Sequence, residues 1–305
     1  MVVGRSLRIT VGALILALGA GPIAPLGASE TAGNPPSSPE PYRLTGRDAA
    51  ILAGGAAAFG LGSFVLHSRT QEVPPSGLDP ADIALDWDRN SLALPNPDAL
   101  SGSNLALGAS LLSPSAVYVA FGGSETSWAG AGRLWTVEAE AALVAGGITA
   151  LLKRAASRPR PYAYLSDTQR PDDPAYDVTG EDAFASMPSG HATVAWASAL
   201  SGATYLAFAR PDLPGSVHAL GGALAGGFAT ATCVLRVDAV QHFPSDVVVG
   251  SLVGGVTAVG MAYLNRDEAS VEGSRGVALR NCLLGAAAGT VIALLFTPPA
   301  SPFLD

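Results

Sequence analysis

The sequence predicts an all-α fold, a bundle of about six to seven transmembrane helices, on three observations. It contains seven apolar segments of roughly 17 to 20 residues, each close to the length that crosses a bilayer as a helix. Hydrophobic residues make up 49% of the chain and charged residues only 14%, unlike an average soluble domain. Glycines recur at a four-residue spacing within the segments, which lets helices approach closely in lipid. The segments are 49–67, 104–123, 134–152, 192–209, 217–235, 246–264 and 281–297.

The N-terminal residues 1–28 are typical of a signal peptide or an N-terminal anchor. Two arginines precede an apolar stretch, and small residues follow it. The next segment, 29–48, begins with a run rich in Pro, Gly, Ser and Thr and is interpreted as a linker. The helical membrane domain is expected over 49–297, followed by a C-terminal tail over 298–305.

Two of the seven apolar segments are weaker candidates for membrane spans. Segment 104–123 carries Pro114 near its middle, and segment 134–152 carries two glutamates. Between the apolar segments, the loops 68–103 and 153–191 are rich in Pro and Asp and contain no apolar span. Both loops are therefore expected outside the bilayer.

The charge and cysteine content exclude several classes of partner. The net charge is -8 and there is no basic run, so no nucleic-acid partner is expected. Cys233 and Cys282 both lie in apolar stretches, which indicates neither a disulfide framework nor a zinc site. The sequence predicts neither a metal nor another cofactor.

Three clusters of polar residues lie at the ends of apolar segments, where charge is unfavourable unless something is bound there. Segments 192–209 and 217–235 form a predicted hairpin, which brings all three clusters to one membrane face. Charged side chains that only reach for the interface would explain any single cluster, but three in order on one face favour a binding site. The clusters are Lys153 with Arg160-Pro161, then Pro188-Ser189-Gly190-His191, and then Arg236, His242 and Asp246.

These clusters complement a tetrahedral phosphate group. Arg160 and Arg236 offer forked donors, and Lys153, the only lysine among the 17 Lys and Arg residues, adds a point charge. Ser189 and Gly190 open a helix, whose free N–H groups and dipole favour an anion. The pattern therefore predicts a cationic cradle.

The two histidines of the clusters fit opposite chemical roles. His242 and Asp246 are four residues apart and share a helix face, so the carboxylate can hold one imidazole nitrogen while the other faces phosphorus. His191 comes from another helix end and could protonate the leaving alkoxide. This arrangement predicts phosphoryl transfer through a histidine nucleophile.

The three motifs resemble the signature of the type 2 phosphatidic acid phosphatases, which share their fold core and active site with bacterial acid phosphatases and vanadium haloperoxidases. The resemblance covers about residues 134–264 and implies a membrane bundle with that family's core. It implies hydrolysis of a lipid phosphate monoester or pyrophosphate through a phosphohistidine. One position departs, since Leu235 stands where the family usually has Ser, but activity is expected to survive. The implied roles are phosphate binding by Lys153, Arg160, Ser189, Gly190 and Arg236, general acid catalysis by His191, nucleophilic attack by His242 and its support by Asp246.

Three other interpretations use the same residues. A vanadium haloperoxidase would hold vanadate in the cradle with His242 as metal ligand, although members of that branch are usually much longer. An exported soluble acid phosphatase of the periplasm would share the chemistry; the signal-like start favours it and the charge-free apolar segments oppose it. A lipid-phosphate binding protein would lack turnover, although both histidines and Asp246 are present.

The predicted location is a bacterial-type inner membrane with the site on the extracytoplasmic side. The long acidic loops on the site's face would translocate readily, whereas counting arginines, five on that face against seven opposite, is indecisive. If residues 1–28 carry the linker outward, this orientation requires that segment 104–123 does not cross.

Overall fold

The computed structural model describes residues 44–66, 78–122, 128–265 and 272–296, which form eight α-helices and no β-strand. Six of these helices are long and apolar enough to cross a membrane, which confirms the predicted all-α bundle. The expected signal or anchor, most of the expected linker and the expected tail lie outside the described residues. The helices are α1 (Gly46–Leu66), α2 (Asp86–Arg89), α3 (Pro97–Phe121), α4 (Trp128–Ala156), α5 (Gly190–Ala209), α6 (Gly215–Asp238), α7 (Pro244–Leu264) and α8 (Glu272–Phe296).

One end of the bundle, called the far end, is held by a buried polar network. Arg133 near the start of α4 donates to Asp48 of α1 at 2.6 Å and to Asn265, just after α7, at 2.6 Å. Asn265 in turn donates to Glu140 of α4 at 2.7 Å, and both of these residues are buried. Buried charges need partners of this kind, so the network ties α1, α4 and α7 together.

The opposite end, called the site end, gathers the other helix termini. Asn104, early in α3, contacts His191 in the first turn of α5 at 3.0 Å. The backbone N–H of Ser189, the N-cap of α5, donates to the carbonyl of Asp246 in the first turn of α7 at 3.0 Å. The starts of α3, α5 and α7 therefore lie together.

Segment 104–123 reaches the far end of the bundle. The predicted orientation required that this segment not cross if residues 1–28 carry the linker outward, and the structure does not meet that requirement. The segment belongs to a 25-residue helix, α3, which starts at the site end. At its other end the carbonyl of Gly122 accepts a hydrogen bond from Arg210, the C-cap of α5, at 3.3 Å. The segment thus runs the length of the bundle like its neighbours.

Pro114 does not interrupt α3 because its surroundings compensate for it. A proline cannot donate to the carbonyl four residues before it, which here is that of Ser110. The hydroxyl of Ser113 donates to that carbonyl instead, at 3.2 Å. Gly202 of α5 leaves room for the ring, since a Cβ there would lie 2.7 Å from the Cβ of Pro114.

Close helix packing relies on the glycines at four-residue spacing. A Cβ on Gly226 of α6 would lie 2.2 Å from the carbonyl oxygen of Ala286 in α8. A Cβ on Gly254 of α7 would lie 2.3 Å from the carbonyl oxygen of Thr193 in α5. These helices touch backbone to backbone, as the spacing predicted.

Large apolar side chains cover the outer faces of the helices. On α3, Leu105, Leu112 and Val119 are exposed at a seven-residue spacing, which puts them on one face. On α7, Leu252 and Val256 are exposed at a four-residue spacing, which also puts them on one face. In contrast, α5 is buried along most of its length at the centre of the bundle. An apolar exterior around a packed helical core fits a lipid surrounding.

Candidate active site

The structure brings the three predicted clusters together at the site end. Lys153 lies in the last turn of α4, and Arg236 lies in the last turn of α6. Ser189 caps the start of α5, and Asp246 lies in the first turn of α7. The short connection between α6 and α7 carries His242, so each cluster is positioned by a helix terminus.

Arg160 is held rigidly beneath the site. Its guanidinium is almost fully buried and donates to the Asp182 carboxylate at 2.6 Å and to the Asp182 carbonyl at 2.8 Å. Its Nη1 donates to the side-chain oxygen of Gln241 at 3.0 Å. Although burial alone would raise it, the positive charges of Arg160 and Lys153 hold the pKa of Asp182 below its usual value.

Arg236 is buried with spare donor capacity. Its Nη2 lies 3.4 Å from the side-chain oxygen of Gln241, which also accepts from Arg160. The Nε of Arg236 is buried and has no hydrogen-bond partner among the described residues. A buried guanidinium donor without an acceptor is unfavourable, and an anion at this position would satisfy it.

Lys153 and the start of α5 form another wall of the site. The Nζ of Lys153 donates to the carbonyl of Ala185. Gly190, the first residue of α5, faces this lysine, because a Cβ there would lie 4.0 Å from Lys153 Cε. The hydroxyl of Ser189 accepts from the backbone N–H of Ala192 at 3.4 Å and so caps the helix.

His242 is oriented by a backbone carbonyl. Its Nδ1 lies 2.8 Å from the carbonyl oxygen of Ser186. A carbonyl can only accept, so Nδ1 carries the proton and Nε2 of the neutral ring keeps its lone pair. That Nε2 lies 3.5 Å from Nη1 of Arg160. Burial first, and then the charges of Arg160, Arg236 and Lys153, lower the pKa of His242 well below its usual value.

The predicted hydrogen bond between Asp246 and His242 is not formed. The two side chains share a face, but Oδ2 of Asp246 is 3.8 Å from Nδ1 of His242, too far for a hydrogen bond. Asp246 instead accepts from Arg158 at 2.7 Å, from the backbone N–H of Phe243 at 2.8 Å and from the hydroxyl of Ser186 at 2.5 Å. Its link to the histidine passes through Ser186.

His191 is the more accessible of the two histidines of the site. It is partly exposed, and its Nε2 lies 3.0 Å from the side-chain oxygen of Asn104. The ring nitrogen donates in this pair if Asn104 presents its carbonyl oxygen. An accessible position beside the cradle is what a proton donor to a leaving group needs.

Sequence reasoning missed several residues that shape the site. Arg158, Asp182, Ser186 and Gln241 all bond directly to a predicted site residue. Asp182 and Ser186 precede the second motif, and Gln241 is an unassigned position between Arg236 and His242 of the third. Arg158 lies between Lys153 and Arg160 but was counted only as a charge on the site's face. Proximity to the motifs in the chain was the one available signal, and it does not identify partners.

The departure at position 235 has a packing explanation. A Cβ on Gly102 of α3 would lie 3.4 Å from a methyl carbon of Leu235, so this leucine packs against α3. It therefore adds an apolar contact between α6 and α3 where a serine would offer a hydrogen bond.

Comparison with known protein families finds a match to part of the chain. The model of the PAP2 superfamily matches residues 136–269, which include every predicted site residue. No curated protein and no solved structure matches the chain. Among the described residues, no group of three or more His, Cys, Asp or Glu side chains could hold a metal ion.

Proposed function

Because residues 136–269 form a PAP2 superfamily domain, whose chemistry is phosphatase-like, we propose that this protein is a membrane phosphatase. It hydrolyses a lipid phosphate monoester or pyrophosphate through a phosphohistidine on His242. The observation that carries this proposal is the state of His242, whose Nδ1–H is held by a carbonyl while Nε2 keeps its lone pair beside Arg160. A neutral imidazole held in this way is a nucleophile.

In the first step, Nε2 of His242 forms a bond to phosphorus while the ester bond to the leaving oxygen breaks. The leaving alkoxide takes a proton from the imidazolium form of His191, which becomes the neutral ring. The three remaining phosphate oxygens are stabilised by Arg160, Arg236 and Lys153, and the buried Nε of Arg236 gains the acceptor it lacks.

In the second step, a water molecule attacks phosphorus and the phosphorus–nitrogen bond breaks. His191, which lost its proton in the first step, takes one from the water. The imidazole keeps its Nδ1–H on Ser186 throughout, and the carboxylate of Asp246, 3.8 Å away, stabilises the positive charge of the phosphorylated ring. Inorganic phosphate is released and both histidines return to their starting state.

The lipid class of substrate is supported by where the site lies. The cradle is formed by the ends of helices whose outer faces are apolar, so a phosphate at the headgroup level of a bilayer would reach it. Phosphatidic acid, phosphatidylglycerol phosphate and polyprenyl pyrophosphate all present such a group.

The test uses the full chain in detergent with these three lipids and a water-soluble aryl phosphate. We expect phosphate release in the presence of a chelator, with the lipids preferred. An acid-labile phosphorylated protein should form with labelled substrate. His242→Ala should abolish both signals, and a fully active His242→Ala protein would contradict the mechanism.

Bromide oxidation in the presence of vanadate and peroxide would favour the haloperoxidase instead. Extraction without detergent would favour the soluble phosphatase.

We further propose that the site faces the extracytoplasmic side, because the long acidic loops on the site's face would translocate readily. The described chain starts at the far end, because Arg47 of α1 bonds to the carbonyl of Leu264 at 2.9 Å. If α1 and the later long helices all cross, an extracytoplasmic site requires residue 46 on the cytoplasmic side. A signal that carries the preceding linker outward would give the opposite orientation.

Cysteine labelling in intact cells distinguishes the two orientations. In a variant with Cys233 and Cys282 replaced, Thr168→Cys places a thiol on the exposed loop at the site end. Asp212→Cys, exposed between α5 and α6, is the matched far-end control. We expect an impermeant maleimide to label position 168 but label position 212 only after lysis. The reverse pattern would overturn this orientation.

A further inference from the structure

Asp88 is a buried carboxylate that lies outside the matched PAP2 domain and outside all three motifs. It belongs to α2, a four-residue helix in the segment that precedes α3. Its side chain is completely buried, whereas that of Asp86 in the same helix is 86% exposed. A buried carboxylate needs strong partners, and those of Asp88 belong to the site.

The carboxylate of Asp88 accepts three hydrogen bonds. Its Oδ2 accepts from Nη2 of Arg158 at 2.7 Å and from the hydroxyl of Ser245 at 2.6 Å. Its Oδ1 accepts from the backbone N–H of Ser245 at 3.0 Å. Because Ser245 lies in the first turn of α7, Asp88 holds both the start of that helix and the arginine.

Arg158 carries the connection onward to Asp246. Its Nη1 donates to Oδ1 of Asp246 at 2.7 Å, so one guanidinium is shared by two fully buried carboxylates. The same guanidinium lies over the ring of Phe243, 4.3 Å from the ring centre. Arg158 is thus held on three sides, and its position depends on Asp88 as much as on Asp246.

From Asp246 the path reaches the nucleophile in two further contacts. The Ser186 hydroxyl donates to Asp246, and the Ser186 carbonyl accepts from Nδ1 of His242. We propose that Asp88 is a positioning residue for His242: it sets Arg158 and the start of α7, and through them Asp246 and Ser186. This proposal rests on the proposed phosphatase function.

The contacts also predict which step depends on Asp88. None of its hydrogen bonds reaches the phosphate-binding side chains of Arg160, Arg236 or Lys153 within the described ranges. Loss of Asp88 should therefore leave the affinity for phosphate nearly unchanged and slow the attack by His242. A residue that only stabilised the fold would instead reduce the amount of active enzyme, without this separation.

The test compares Asp88→Asn with Asp86→Asn in the full chain in detergent. For Asp88→Asn we expect kcat to fall by about 10- to 100-fold, the range typical of residues that orient a reacting group. The inhibition constant for inorganic phosphate should stay within about threefold of the wild-type value, because the cradle is untouched. Asp86→Asn removes an exposed carboxylate and should leave both values unchanged.

A second variant decides the matter if Asp88→Asn does not fold. Ser245→Ala keeps both charges and removes only the hydroxyl between Asp88 and Arg158, so kcat should fall about three- to tenfold with phosphate inhibition unchanged. A wild-type value of kcat in Asp88→Asn would overturn the role of Asp88 but not the proposed function. If Asp88→Asn does not fold, a wild-type value in Ser245→Ala would have the same consequence. Equal losses of kcat and phosphate affinity would do the same. A wild-type protein that hydrolyses no phosphate ester would overturn the proposed function and this inference with it.

Discussion

Replacing Asp246 by Asn tests whether a backbone carbonyl, and not a carboxylate, controls the nucleophile. Where a carboxylate itself holds the imidazole tautomer, as in a serine protease triad, this replacement lowers kcat by about 10⁴-fold because the ring adopts the wrong tautomer. Here Nδ1 of His242 is bonded to the carbonyl of Ser186, which the substitution leaves in place. The correct tautomer should persist.

The expected loss follows from the remaining contacts of Asp246. An Asn keeps one accepting oxygen but loses the negative charge that pairs with Arg158. Its amide N–H group would face Arg158 or the hydroxyl of Ser186, which both donate to Asp246. Removing one partner of a buried ion pair costs about 3 kcal/mol of folding stability at the lower end of the usual range. The displaced Ser186 should reduce kcat by about 10- to 100-fold, as for other indirect orienting contacts.

The assay is kcat with a water-soluble aryl phosphate in detergent, at temperatures where the variant remains folded. His242→Ala provides the baseline without the nucleophile. A loss of about 10⁴-fold in folded Asp246→Asn would refute the reasoning, because it would mean that the carboxylate holds the ring directly during the reaction.

Three further predictions follow from single sites. The folded pKa of His242 lies well below 6.5, so the acid limb of kcat/KM should have its midpoint below pH 6.5. Because the pKa of His242 is higher in the unfolded chain, the unfolded chain takes up this proton first as the pH falls, and the folding stability decreases below about pH 6.5. A kinetic midpoint above pH 6.5 would contradict the assignment of His242 as the nucleophile. Lys153→Arg should lower kcat/KM about tenfold or more, since a planar fork replaces a compact ammonium beside Gly190; an unchanged value would mean that the lone lysine is incidental. Gly226→Ala should lower the free energy of unfolding in detergent by about 1–3 kcal/mol, because its Cβ would meet a carbonyl oxygen of α8. In the control Gly276→Ala, the added Cβ would have no atom within 4 Å, so the replacement should stabilise α8 by up to about 1 kcal/mol. Equal midpoints of thermal unfolding for the two variants would disprove the close-packing explanation.

The helices were predictable because each is encoded locally. Every predicted apolar segment lies mostly or wholly within a helix, since about 17 to 20 consecutive apolar residues specify a span without reference to the rest of the chain. The error concerned Pro114, which on its own weakens a helix. Its compensation by the hydroxyl of Ser113 and the space left by Gly202 requires contacts that periodicity does not describe.

The convergence of the three clusters was also predictable, whereas the partners of their residues were not. Lys153, His191 and Arg236 lie at helix ends, and a hairpin of known direction brings such ends to one face. In contrast, Gln241 accepts from both Arg160 and Arg236, although nothing in its spacing predicts that it would bridge two cations.

Helix length, helix ends and motif spacing are local properties, so the all-α membrane bundle and the residues that meet at the site can be predicted from the chain alone. The contacts among those residues depend on the tertiary structure. It assigns Nδ1 of His242 to the carbonyl of Ser186, 56 residues away in the chain, and it brings Asp88 to Ser245 across 157 residues. A difference of about 1 Å decides whether a hydrogen bond forms, as the 2.8 Å and 3.8 Å distances from Nδ1 of His242 to Ser186 and Asp246 illustrate. Packing of whole helices sets those differences, and residue spacing along the chain does not encode them.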